Sequence, residues 1–240
     1  MALLEVRSIG KSFRGLRAVH DVSFELADGA IAAMIGPNGA GKTTCFNLIA
    51  GVFAPDTGAV ALGGRRITGL RPHEICRAGV GRTFQVVKPF PQMTVLDNVV
   101  VGALNAAARV GDAEREAWRV LELLHLDAKS QTLAASLTLP ERKRLEVARA
   151  MATRPRLLLL DEVMAGLRPT ETDQMVAFLQ QLISQTGLTI LLIEHVMRAV
   201  MALAAHVVVL HHGEKICEGA PAQVVRDPAV LECYLGEEAV

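Results

Sequence analysis

Aromatic side chains are scarce in this 240-residue chain: they make up 4% of it, with one Trp and one Tyr, although 51% is hydrophobic. Its core must therefore be aliphatic. Four cysteines, Cys45, Cys76, Cys217 and Cys233, are scattered with no CxxC pair, which argues against a zinc site or a disulfide framework and for reduced thiols in a cytosol. Lys+Arg and Asp+Glu both total 25, so no excess charge of one sign marks nucleic acid or an anionic surface as the main partner. The opening MALLEVRSIGKSF lacks an apolar stretch followed by a small-residue cleavage site, so no secretory signal is expected. Every apolar run falls far short of the roughly 18 residues that span a bilayer.

What is present is a set of short aliphatic runs: Ile31 to Ile35, Leu157 to Leu160, Thr189 to Ile193 and Val207 to Leu210. They are too brief for buried helices and show no polar alternation, so they predict strands covered on both faces of a parallel sheet. Met175, Phe178, Leu179 and Leu182 recur at helical spacing, with Thr170 as a candidate cap and Gly187 as the stop. Alternation of strand and helix implies right-handed crossovers. Val22, Phe24 and Leu26 alternate with polar neighbours, and Val60 and Leu62 precede Gly63-Gly64, which predicts a small antiparallel sheet. Between Pro89 and Thr153 the strand runs vanish. Ala117, Val120, Leu121 and Leu124 share one helical face, and Leu145, Ala148, Arg149 and Ala152 form a second periodic set. The expected organisation is one domain over 1–240, an α/β core from 1–88 and 153–240 with a helical lobe inserted at 89–152. The length suits one such core with a smaller lobe.

Gly36-Pro37-Asn38-Gly39-Ala40-Gly41-Lys42-Thr43 matches G-x-x-x-x-G-K-[ST] in full, after an apolar run and before a helix-compatible segment. The glycines let successive backbone N–H groups face phosphate oxygens. Lys42 brings a positive charge to the β and γ phosphates, Thr43 a hydroxyl for Mg²⁺, and Thr44 a further hydroxyl, while the helix start adds its positive end. By itself the loop does not separate a kinase from a GTPase or a transport motor. Leu157 to Leu160 end in Asp161-Glu162. Acids often close strands simply as caps, but ligands sit at the carboxyl ends of parallel strands. Asp161 would then hold Mg²⁺ through water, and Glu162 would polarise the attacking water as general base.

The order of phosphate loop, Arg82-Thr83-Phe84-Gln85, LTLPERKRLEVARA, LLLLDE and Ile193-Glu194-His195 resembles the ATP-binding subunits of ABC transporters, from about Leu3 to Gly236. RTFQ, MTVLDNVVVG and the ending CYLGEE look like one ATPase subunit of the branched-chain amino acid importers. The resemblance implies a P-loop NTPase (RecA-like) fold, α/β with a mixed sheet core, an antiparallel β subdomain and an inserted helical subdomain. It implies ATP and Mg²⁺ as ligands, and catalytic roles for Glu162, His195, Gln85 and Lys42. Gln85 would touch the metal and relay nucleotide state, His195 would brace the γ-phosphate, and Phe13 would stack on adenine, although a phenylalanine there could equally belong to the small sheet. It also implies a dimer, of two copies or with a related subunit, in which Thr138 meets the partner's nucleotide. The remaining partners are permease subunits and, indirectly, a solute-binding protein, with the chain peripheral at the cytoplasmic face of the inner membrane and no nucleic acid bound.

The family pattern is departed from at three places, the least of them Val163, which stands where proline commonly follows the glutamate. The LSGGQ-like segment reads Leu137-Thr138-Leu139-Pro140-Glu141, where Pro140 has no N–H to offer a phosphate. Thr138 and Glu141 still form a T-x-x-E box, which predicts a helix start there. Arg168 stands where many relatives carry an acid. The competing readings are an ABC ATPase outside transport and a nucleotide-binding regulator. The first usually has fused ATPase units or basic arms, and the second is opposed by the retained Lys42, Asp161, Glu162 and His195.

Overall fold

The computed structural model describes residues 2–84 and 88–235. In chain order its elements begin with β1 (Ala2–Phe13), β2 (Leu16–Ala27), β3 (Ile31–Ile35), α1 (Lys42–Ile49), β4 (Thr57–Leu62), β5 (Arg65–Arg66) and α2 (Pro72–Arg77). There follow β6 (Val80–Arg82), α3 (Val95–Ala103), α4 (Val110–Leu123), α5 (Leu139–Met151), β7 (Leu157–Asp161) and α6 (Pro169–Thr186). The chain closes with β8 (Thr189–Ile193), α7 (Met197–Leu203), β9 (His206–His211), β10 (Glu214–Gly219), α8 (Pro221–Val224) and α9 (Pro228–Leu235). Two compact units are formed, Met1–Ile75 with Thr189–Val240, and Cys76–Leu188. No helix among the described residues is long and apolar enough to cross a membrane.

The first unit holds two sheets. Antiparallel strands run in the order β2-β1-β4-β5, and Val22, Phe24 and Leu26 of β2 point inward as their alternation requires. Gly63-Gly64 make the β4–β5 turn with φ of 55° and 76°, a conformation glycine adopts without a Cβ penalty. The other strands run β10-β9-β3-β8. Here β3 is parallel to both β8 and β9, and β10 is antiparallel to β9, giving a mixed sheet. Every residue of β8 is buried, as are the four central residues of β9 and the last four of β3. Two-sided burial is why these runs show no alternation.

In the second unit β6 and β7 pair in parallel, and all five residues of β7 are buried. No strand lies between Pro89 and Thr153 among the described residues, and α3, α4 and α5 occupy that stretch. Ala117, Val120, Leu121 and Leu124 are fully buried. Gly102 lets α3 approach α5 closely, because a Cβ there would stand 2.4 Å from the Arg149 carbonyl oxygen. Leu145, Ala148 and Ala152 fill the interior, but Arg149 does not. Its guanidinium lies 5.0 Å from the Phe90 ring and donates to the Lys88 carbonyl, so it is half-buried, with its charge on hydrogen bonds. Helix α6 buries Met175, Phe178, Leu179 and Leu182 and ends at Gly187 in the left-handed region. Its start corrects the expected Thr170 cap. Pro169 is the first helical residue, and the Arg168 N–H is satisfied by Glu171 Oε2 at 2.8 Å.

The phosphate-loop sequence bridges β3 and α1, and main-chain atoms fix its path. Gly36 has φ +143°, and a Cβ there would meet the Leu210 carbonyl oxygen at 2.0 Å. Gly41 has φ +99°, with the Ala18 carbonyl oxygen 2.4 Å from where a Cβ would stand. Gly213, in the β9–β10 turn, donates its N–H to the Ala40 carbonyl at 3.1 Å. Gly39 has φ +79° but faces open space. Gly39→Ala should therefore cost only left-handed strain, about 1 kcal/mol. Gly36→Ala adds a collision with main chain and should cost about 2–5 kcal/mol in urea unfolding. Equal losses for the two would contradict the account of how the loop is held.

Candidate nucleotide site

In the first unit, the loop leaves the carboxyl end of β3, and Glu194 and His195 leave the same end of the adjacent parallel strand β8, where Met34 is paired with Ile193. Ligands are expected at this edge of a parallel sheet. Within the loop Pro37 and Ala40 are buried, whereas Asn38, Gly39 and the Thr43 side chain are exposed and Thr44 is half-buried. Lys42 is the first residue of α1 and is only 6% exposed. Its ammonium donates to the Gly36 carbonyl at 2.6 Å and the Pro37 carbonyl at 2.7 Å. These neutral acceptors hold the cation at the loop, and a phosphate oxygen would be a stronger partner. Cys45, one turn into α1, is fully buried and its thiol is pushed up to about 12 by burial; it is an inert packing group. His195 is exposed, beside the buried Glu194. Phe13 ends β1, more than a third exposed, with its ring edge-on to Phe53 at 5.1 Å.

In the second unit, the last residue of β7 is Asp161, 2% exposed. Its Oδ2 accepts from Arg82 Nη2 at 3.2 Å, and its N–H donates to Thr83 Oγ1 at 3.1 Å. Burial raises the Asp161 carboxyl above its ordinary range against the opposing pull of the Arg82 guanidinium. Oδ1 is buried and finds no hydrogen-bond partner among the described residues. A bare buried carboxylate oxygen is costly, and a cation or its water would satisfy it. The residue therefore fits a magnesium-directed role. No group of three or more His, Cys, Asp or Glu is placed to hold a metal ion among the described residues. Mg²⁺ needs no such cage, since one or two carboxylates with substrate phosphates and water usually suffice.

Glu162 follows at φ +50°, left-handed for a non-glycine residue, and its carbonyl accepts from Lys143 Nζ at 2.9 Å. Thr138 is exposed and caps α5, with its N–H donating to Glu141 Oε2 at 2.9 Å. The T-x-x-E start thus forms, and Pro140 lies in the first turn where its missing N–H costs no helix bond. Gln85 lies outside the described residues. Sequence reasoning assigns no role to three residues that the structure brings to the site: Arg82 on the Asp161 carboxylate, Thr83 on its main chain, and Lys143 on Glu162. Arg82 and Thr83 stand in the RTFQ motif, while Lys143 sits in the charged run Glu141 to Arg144, which in sequence reads as a solvated face.

Residues 19–165 match the family model for the ABC transporter, and residues 214–240 match that for the branched-chain amino acid ATP-binding cassette transporter. The chain is 41% identical to the high-affinity branched-chain amino acid transport ATP-binding protein BraF of Pseudomonas aeruginosa, over 98% of each chain. It is 38% identical to LivG of Salmonella typhimurium, of the same description, again over 98% of each. Among solved structures, a nucleotide-free ATP-binding cassette from an ABC transporter superposes with a TM-score of 0.89 at 31% identity, covering 98% of this chain and 99% of that one. The chain belongs to the ABC transporter family of ATP-binding cassettes, among the branched-chain amino acid transport ATP-binding proteins.

Proposed function

We propose that this chain hydrolyses ATP to drive an importer of branched-chain or related amino acids, docked on permease subunits at the cytoplasmic face of the inner membrane. The observation that supports this most directly is the complete phosphate loop, pinned between β3 and α1 with Lys42 at its end. Residues 214–240 support the amino acid assignment through their match to the branched-chain family, as do the full-length relatives.

In this reading the backbone N–H groups from Gly36 to Thr44 bind the phosphates, and Lys42 exchanges its two carbonyl partners for phosphate oxygens. Phe13 offers its exposed ring to adenine. Thr43, Gln85 and Asp161 would hold Mg²⁺, which when bound neutralises phosphate charge and supports displacement at the γ-phosphorus. Glu162 takes a proton from the attacking water, and His195 braces the γ-phosphate. Two ATPase subunits close on two nucleotides, each presenting Thr138 and the positive end of α5 to the other's phosphate. Hydrolysis removes the charge that bridges them and the dimer reopens. This motion reaches the permease through the helical lobe near Gln85 and the segment Val86 to Gly102, and an external solute-binding protein supplies the cargo.

Lys42→Ala should weaken ATP binding about 10- to 100-fold in equilibrium titration, the loss of one charged donor. Glu162→Gln should keep ATP affinity while phosphate release falls about 10²- to 10⁴-fold. Chelating Mg²⁺ should stop release in the unaltered chain, and added Mg²⁺ should restore it. Undiminished release by Glu162→Gln would remove that residue from its role. In the Glu162→Gln background, Pro140→Gly should tighten ATP-dependent dimerisation about tenfold by light scattering; unchanged affinity would mean the missing amide is not limiting. Proteoliposomes carrying the assembled transporter should accumulate leucine, isoleucine or valine with ATP. Intact ATPase without uptake of any of the three would overturn the cargo assignment.

A further inference from the structure

Lys143 is 4% exposed in the second turn of α5. An ammonium is costly to remove from water unless its donors are used, and a lysine placed in this way needs a reason. Its Nζ donates to the main-chain carbonyl of Glu162 at 2.9 Å. That carbonyl also accepts from the Ala165 N–H at 3.1 Å, so two donors from different parts of the second unit close on one oxygen. The residue they grip stands at φ +50°, a conformation strained for an L-residue because its Cβ crowds the following carbonyl oxygen. Such strain persists only where the surroundings over-determine it. Here the over-determination is visible: β7 fixes Asp161 on one side, the turn bond to Ala165 closes the other, and the lysine holds the carbonyl.

We propose that Lys143 is a positioning residue for hydrolysis: its ammonium locks the Glu162 main chain in the left-handed conformation and so aims the Glu162 carboxylate. The inference rests on Glu162 being the hydrolytic acid. It also gives α5 a second role. The helix carries Thr138 at its tip and Lys143 in its second turn, so the segment presented to a partner's nucleotide is tied by one side chain to the acid of its own chain. A shift of α5 on engagement would then be felt at Glu162 without any loop having to move between them.

The test uses the full chain with ATP and Mg²⁺ and compares Lys143→Met, Lys143→Arg and Glu162→Gln. Lys143→Met keeps an unbranched side chain, one atom shorter, but has no donor. Its kcat should fall about 10- to 100-fold, the effect of a misaimed catalytic group, while KM and the ATP dissociation constant stay within about twofold. Lys143→Arg, which restores a cationic donor, should recover most of the rate. A normal kcat in Lys143→Met overturns the proposal. So does a joint loss of kcat, ATP affinity and thermal stability that arginine does not rescue, since a merely structural lysine would behave in that way. Should Lys143→Met fail to fold, Lys143→Leu, which also has no donor, decides: a lowered kcat at unchanged KM supports the positioning role, and an undiminished kcat contradicts it. Persistent hydrolysis in Glu162→Gln would instead strike the reading of Glu162 itself, a separate outcome from any result at position 143.

Discussion

The turn from Gly36 to Gly41 is gripped by main-chain atoms, and what this protein can do with a nucleotide depends on that grip. The carbonyl oxygens of Leu210 and Ala18 occupy the places where side chains at 36 and 41 would begin, and the Gly213 amide holds the Ala40 carbonyl. Contacts of this kind leave the loop little freedom to lose when a ligand arrives, so binding energy is not spent on ordering it. They also explain why β9 and β10, which carry no proposed catalytic residue, matter to the site: Leu210 and Gly213 are supplied by that hairpin. An electrostatic site works best when its dipoles are fixed in advance, and here fixation comes from sheet and hairpin geometry.

A second theme is the placement of charge in an otherwise aliphatic interior. Asp161, Lys143 and Glu194 are all nearly inaccessible, and Asp161 has its carboxyl raised by burial while one oxygen finds no partner among the described residues. Arrangements like these lower stability, and apolar replacements of similar shape are often neutral or better for folding. Together with left-handed Glu162, Asp161 and Lys143 mark the carboxyl end of β7 as a place where local consistency is given up for function. Nothing comparable interrupts the middles of β7, β8 or β9, where aliphatic residues fill every central position.

Much of this could be read from residue order. Four short aliphatic runs declared buried strands because both faces are covered, and Thr138 with Glu141 declared a helix start because the two groups that satisfy each other lie one turn apart. Local chemistry was also sufficient at Gly187, where a left-handed residue ends α6. It misled at Thr170: the cap is the N–H of Arg168 satisfied by Glu171, so the signal was the proline and the acid, not the hydroxyl. Arg149 shared a helical stripe with true core residues, but its charge drew it out to the Lys88 carbonyl. The least legible features join distant positions. Arg82 and Asp161 are 79 residues apart, and Lys143 reaches Glu162 across 19. No periodicity records such contacts, because only the tertiary fold creates them.

The central claim is that recognition runs through the phosphates, delivered by the loop backbone and Lys42, with the base contributing only a ring contact. Calorimetric titration of the chain with ATP, ADP and AMP in the presence of Mg²⁺ tests it directly. The account predicts that ATP and ADP bind at least about tenfold more tightly than AMP, a difference of about 1.4 kcal/mol or more. Equal affinity for all three, or no binding of ATP at millimolar concentration, would contradict it.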